Sequence, residues 1–498
     1  MLRPPTPVAR LRIVVAALGE SIEADARMNL LFDHGLSSGS AMLLFVCLAI
    51  ALGFEFVNGF HDTANAVATV IYTNALKPTT AVVLSAFFNF SGVLIGGISV
   101  AMGIIKLLPL DLVVAGGSGT GIATVLALLL SAIIWNLGTW YVGIPASSSH
   151  TLIGSIIGVG LANSMRPGHA FGHGINLAKV AETMLSLVIS PLFGFLAAGL
   201  LMLLAKRMFG HTHAMDEAPA RDVPPPPFIR GLLIATCSGV SLAHGSNDGQ
   251  KGVGLVMLIL IAIVPAGFAL DAGATQADIQ RTLRAVDAIE QTIQRHADRA
   301  GSADAAVVQT QFASVRAHLA GRHSVVEIPR SERFAVRQEI LVADKSLESL
   351  VKSGGLGLSS SESSTLKSDR TSLRRMTDYA PSWVLIAIAL SLGLGTMVGW
   401  RRIVVTVGEK IGKAHLTYAQ GACAEIIAAS TISVASATGL PVSTTHVLSS
   451  GIAGTMVANG SGIQRSTVRN IGIAWLLTVP VTMLLAGTLF TLMRLAFH

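Results

Sequence analysis

GIPASSSHTL at residues 143–152 returns as GLPVSTTHVL at residues 439–448. Five of the ten positions are identical and two more exchange Ser for Thr. A second pair of segments precedes the two copies, NGFHDTANA at 58–66 and HGSNDGQKG at 244–252, matching only at Gly and Asp. Order and spacing turn this weak pair into a repeat. Asp62 and Pro145 lie 83 positions apart and Asp248 and Pro441 lie 193 apart, so the second interval is longer by 110. One anomalous segment has that length: 271–380 holds 15 basic and 14 acidic residues. With it set aside, two equivalent halves remain.

The halves belong in a lipid bilayer. Of 498 residues, 51% are hydrophobic and 13% charged, and apolar runs repeatedly exceed the roughly 18 residues that a membrane-crossing helix needs. This excludes an ordinary soluble enzyme, a disordered chain, collagen and a coiled coil. Candidate spans run about 41–57, 80–103, 121–142, 177–205, 229–243, 252–270, 382–399, 415–437 and 470–495. Stretches opened by Pro or broken by polar residues, near 59–76, 145–162 and 441–458, read as half-helices or re-entrant hairpins, and Gly59, Gly245 and Gly249 favour unwound backbone there. The expected fold is an all-α polytopic membrane protein with about ten to twelve passages.

The resulting division is a tail at 1–40, with Met28 as a plausible true start, then transmembrane repeat 1 at 41–205 and a basic, proline-rich cytoplasmic linker at 206–228. Repeat 2 occupies 229–270 and 381–498, split by the soluble insert at 271–380. In the insert, Leu283, Val286, Ile289 and Ile293 share one helical face, whereas GGLGLSSSESS at 354–364 reads as flexible linker. With the linker inside, Lys77, Arg401, Arg402, Lys410, Lys413, Arg465 and Arg469 also fall inside and only Lys106 and Arg166 outside. That is the positive-inside bias. The insert falls outside, and the halves cross in opposite senses, the inverted-topology repeat of secondary transporters. Cys47, Cys237 and Cys423 lie in apolar runs and give no disulfide framework.

Asp62 and Asp248 sit at membrane depth, where a carboxylate costs several kcal/mol unless a cation, proton or hydrogen-bond donor accompanies it. Their shared repeat position favours a cation or proton site over the alternative, an Asp that caps a half-helix or pairs with an internal Lys. His61 abuts Asp62. The triplets Ser147, Ser148, Ser149 and Ser443, Thr444, Thr445 follow prolines suited to a first helical turn, so free N–H groups, the positive dipole end and hydroxyls gather where an anion such as phosphate fits. The competing reading is helix caps and close-packed small residues. His150 and His446 read first as packed hydrogen-bonding residues. No histidine cluster has structural-metal spacing, and no P-loop, nucleophile elbow, zinc-protease or dinucleotide motif occurs, so neither an enzyme nor a primary pump is expected.

NGFHDTANAVATVIY, PASSSHTLIG, HGSNDGQKGVGLVML and GLPVSTTHVLSS resemble the inorganic phosphate transporter (PiT) family, in particular its bacterial low-affinity, proton-coupled branch. The resemblance covers about 41–270 and 380–495. It implies phosphate import across the bacterial plasma (inner) membrane by proton symport, with phosphate carried as a neutral complex with a divalent cation and no bound cofactor. By matching positions it assigns Asp62, Asn65, Asn247 and Asp248 to the cation and phosphate site. The family pattern is close to G-A-N-D-V-A-N-A in both halves. Here His61 replaces the first Asn of repeat one and Lys251 the second Asn of repeat two. A fixed ammonium in a cation site repels sodium, so the departures favour a proton. A sodium-coupled phosphate symporter and a carrier of another tetrahedral oxyanion are the alternatives. The expected partners are phosphate and lipid, with no nucleic acid; a homo-oligomer is left open.

Overall fold

The computed structural model describes residues 36–105, 119–166, 172, 175, 177–209, 223–296, 303–354 and 356–496. The tail at 1–27 and most of the 206–228 linker lie outside the described residues, and with them the proposed start at Met28. Two compact units form, 42–259 with 382–498 and 260–381.

The first unit is built from apolar helices. Repeat one supplies α1 (Ser38–Tyr72), α2 (Pro78–Ile95), α3 (Ser99–Ile105), α4 (Gly119–Val142), α5 (Ser148–Ser164) and α6 (Leu177–Phe209). Repeat two opens with α7 (Pro227–Ile263). Among the described residues, seven helices are long and apolar enough to cross a membrane, or eight if a pair bent by 57° counts as one span. Leu185, Val188, Leu192, Leu196 and Leu200 of α6 stand exposed along its length. A contiguous apolar stripe of this kind is stable against lipid and not against water, so the chain is a multi-pass membrane protein. The short α5 and the later α16, 17 and 16 residues long, are apolar and buried but fall below the length of a full crossing.

α1 and α7 correct one expectation. Where half-helices and unwound glycines were expected, each is one continuous helix, 35 and 37 residues long. The glycines serve approach instead. A Cβ on Gly59 would lie 2.3 Å from the Leu392 carbonyl oxygen, and one on Gly395 would lie 2.1 Å from that of Phe56. The same pair recurs as Gly245 against Asn89, 2.1 Å, and Gly92 against Leu242, 2.2 Å. Packing is therefore reciprocal: α1 beds against a helix of the second half, α13 (below), while α7 beds against α2. Small residues at such crossings let backbones touch.

The second unit holds the end of α7 and α8 (Pro265–Phe268), then α9 (Gln276–Arg295), α10 (Ala303–Leu319), α11 (Arg330–Lys352) and α12 (Ser360–Leu373). Ile279, Val286, Ile289 and Ile293 of α9 enter its core, with Leu283 partly buried against it. A second correction falls on 354–364. Ser360 opens α12 because Ser359 and Glu362 form a reciprocal capping box, which satisfies the first free N–H groups of the helix.

The chain then returns to the first unit with α13 (Ser382–Thr396), the short α14 (Arg401–Val405), α15 (Tyr418–Thr438), α16 (Thr444–Asn459) and α17 (Arg465–Ala496). Pro145 and Pro441 lie ahead of α5 and α16, outside any helix, and not in their first turns. The caps decide this. Ser147 Oγ accepts from His150 N at 3.2 Å and Ser443 Oγ from His446 N at 3.1 Å, so each helix begins one residue after its cap.

Candidate functional site

The midpoints of α1 and α7 and the starts of α5 and α16 meet in one buried cluster. Asp62 and Asp248 are 4% and 0% exposed, so every charge there needs a partner within the protein. Asp62 Oδ1 accepts from Thr445 Oγ1 at 2.9 Å and lies 3.0 Å from His61 Nδ1. Ser148 Oγ stands 2.9 Å from Asp62 Oδ2 and 3.2 Å from Asp248 Oδ2, so one hydroxyl at a helix start bridges the two carboxylates. The Lys251 ammonium donates to Asp248 Oδ1 at 2.6 Å and to Ser149 Oγ at 2.5 Å. Ser149 in turn donates to the Val442 carbonyl at 2.7 Å, joining the α5 start to the segment before α16.

A third ligand faces the carboxylate pair. His244 Nε2 lies 3.9 Å from Asp62 Oδ2 and 3.5 Å from Asp248 Oδ2, while its Nδ1 lies 2.9 Å from Asn89 Oδ1. One ligand atom from each of Asp62, His244 and Asp248 falls within 4.8 Å of the others, a separation that a cation between them could close. His244 Nε2 makes no hydrogen bond. A ring held through one nitrogen with the other free and aimed at carboxylates is the usual arrangement of a metal-binding imidazole.

Of the expected residues, the structure gathers His61, Asp62, Ser148, Ser149, Thr445 and Asp248 around this cluster. Asn247 turns aside: its Nδ2 donates to Ser436 Oγ at 3.1 Å and its Oδ1 has no partner. The Asn65 side chain lies outside the described residues. Ser147 and Ser443 serve as helix caps, accepting from the backbone N–H groups of His150 and His446. Thr444 Oγ1 is buried without a partner next to Thr445. His150 and His446 pack ring to ring at 4.3 Å, with His446 stacked on Trp475 at 3.8 Å. Lys251 points into the cluster and ranks with its central residues.

Sequence reasoning missed His244, although it stands one helical turn before Asp248, the i, i+4 spacing that places two side chains on one face. It also missed Asn89, which orients His244 and donates to Thr396 Oγ1 at 2.9 Å, because a lone Asn in an apolar span carries no pattern.

The sequence profile of the Phosphate transporter family matches residues 58–486. The chain is 44% identical to the low-affinity inorganic phosphate transporters PitB and PitA of Escherichia coli (strain K12), over 92% of its length and 97% and 98% of theirs. It is 27% identical to a probable low-affinity inorganic phosphate transporter of Bacillus subtilis (strain 168), over 92% of its length and 98% of that protein's. A solved structure titled the sodium-dependent phosphate transporter superposes with a TM-score of 0.52 over 91% of this chain and 99% of the other, at 21% identity, a likeness of fold. Matched along nearly its whole membrane unit, the chain belongs to the phosphate transporter family.

Proposed function

We propose that this protein imports inorganic phosphate by proton symport, with phosphate travelling beside a divalent cation. The observation that carries the reading is the pair Asp62 and Asp248, bridged by the Ser148 hydroxyl at the start of α5 and faced by His244. Two carboxylates and an imidazole suit a divalent cation. The helix starts supply hydroxyl and N–H donors that suit the phosphate oxygens on its other side. Thr444, buried and unpartnered, is a donor in waiting. The reciprocal packing of α1 on α13 and α7 on α2 supports two inverted-topology repeats that rock about this cluster, with the 271–380 insert outside the cell.

Lys251 argues for the proton. Its ammonium occupies Asp248, and a bare sodium ion within about 5 Å of it would lose on the order of 3 kcal/mol at an effective dielectric near 20, a penalty that a divalent cation escapes only by arriving neutralised by phosphate. The same charge attracts phosphate. The test is phosphate uptake into proteoliposomes under imposed gradients. Uptake is expected to follow an inward proton gradient, collapse with a protonophore, require a divalent cation and ignore replacement of sodium by potassium. Uptake driven by sodium at constant pH and potential would replace this reading with sodium symport, and competition by arsenate or sulfate measures how far the site distinguishes oxyanions.

A further inference from the structure

The cargo cluster leaves one nearby carboxylate unused. Glu55 stands on α1 seven residues before Asp62, about 10 Å along the helix. It is 0% exposed. Asn58 Nδ2 donates to its Oε2 at 3.3 Å, but Oε1 has no hydrogen-bond partner, and neither has Asn58 Oδ1 beside it. The side chain lies over α7 at Gly252, where an added Cβ would come 2.6 Å from Glu55 Oε1. A glycine next to Lys251 thus leaves the room that the carboxyl fills. The charged groups that face it are Asp62 on its own helix and Asp248 and Lys251 on α7. α13, packed on the other side of α1, carries no ionisable residue along its length. The single ammonium is already 2.6 Å from Asp248, so a charged Glu55 would face two carboxylates with no cation of its own. Glu425, another fully buried carboxylate, differs: Thr69 and Thr236 donate one hydroxyl to each of its oxygens.

We infer that Glu55 is the residue that binds and releases the transported proton, a role that rests on the proton-symport reading above. A proton on Oε1 supplies the missing donor and removes the uncompensated charge. The carboxylate takes up one proton from the outer side and returns it to the inner side, with no other bond made or broken. Coupling follows from charge. Ionised Glu55 stands about 10 Å along α1 from Asp62, and at an effective dielectric near 20 each unit of net negative charge in the cargo site meets a penalty of about tenfold, which protonation lifts.

The test compares wild type with Glu55→Gln, which keeps the shape of the protonated form, in proteoliposomes loaded with phosphate and a divalent cation. Wild type is expected to accumulate phosphate by up to about tenfold per unit of pH difference for one proton per phosphate. Glu55→Gln should exchange labelled for unlabelled phosphate at a rate independent of pH and fail to accumulate it. Glu55→Asp, still ionisable, should restore part of the accumulation. Gradient-driven accumulation by Glu55→Gln equal to wild type would overturn the assignment. So would equal loss of exchange and accumulation, or failure of the variant to fold, because the neutral form must be tolerated in each cycle. A wild type that ignores the pH gradient and follows sodium would instead overturn the symport reading, and this inference with it.

Discussion

Asp62 and Asp248 hold the same place in the two halves and live in different electrostatic worlds. Asp62 is held by a hydroxyl from each half, Ser148 and Thr445, and by His61. Asp248 is held by an ammonium one turn along its own helix. Position is thus repeated while labour divides: under the proposed reading Asp62 would keep its charge for a passing cation, and Asp248 spends most of its charge on Lys251.

The largest expected effect follows at Asp62. Asp62→Asn keeps the shape but loses the charge, and uptake should fall by about 100-fold or more in a protein of normal melting temperature, the size of effect seen when a preorganised electrostatic partner is removed. Wild-type uptake would erase the proposed division. Asp248→Asn should act twice, on transport and on folding, because it strands a buried ammonium at a cost of about 3–5 kcal/mol. Adding Lys251→Asn should restore the melting temperature in detergent, which Asp62→Asn never needs. If both single aspartate variants melt alike, the two sites are equivalent after all.

A smaller effect tests the reciprocal packing. Gly245→Ala and Gly395→Ala drive a methyl into the backbone of α2 and α1 respectively, and each should cost about 1–3 kcal/mol of stability by overpacking. Equal losses on thermal unfolding would match equal roles in the two halves. Lys251→Asn alone strands the buried Asp248 carboxylate instead, so it should lower the melting temperature through a loss of the same order as in Asp248→Asn, about 3–5 kcal/mol, while the uptake that remains gains sensitivity to sodium. Uptake that stays indifferent to sodium would show that Lys251 alone does not exclude it.

Much of this was readable in the chain. The apolar runs announce membrane helices because hydrocarbon tolerates few other residues, and the twice-written Ser/Thr motif places two helix starts in equivalent positions. Three things were not readable. Gly59 and Gly245 resemble sites of unwinding until Leu392 and Asn89 arrive against them, and a partner more than 150 residues away leaves no local trace. The prolines at 145 and 441 suit a first helical turn, but the following serines cap more strongly and set the start later. Glu55 and His244 gain their meaning only from what faces them across α1 and α7, since an isolated Glu or His in an apolar span has many ordinary explanations.

The crossing of Gly59 on α13 also sets a schedule for synthesis. α1 emerges from the ribosome more than 300 residues before its glycine partner on α13. At about 5–20 residues per second, the helix that carries Glu55, His61 and Asp62 waits for roughly 15–60 seconds before its groove is filled. During that interval its polar face must be sheltered by the insertion machinery, by a chaperone or by an early neighbour such as α2. Exchange of partners between halves thus makes the newborn first half a client, and the protein reaches its final packing only after the last third of the chain has entered the membrane.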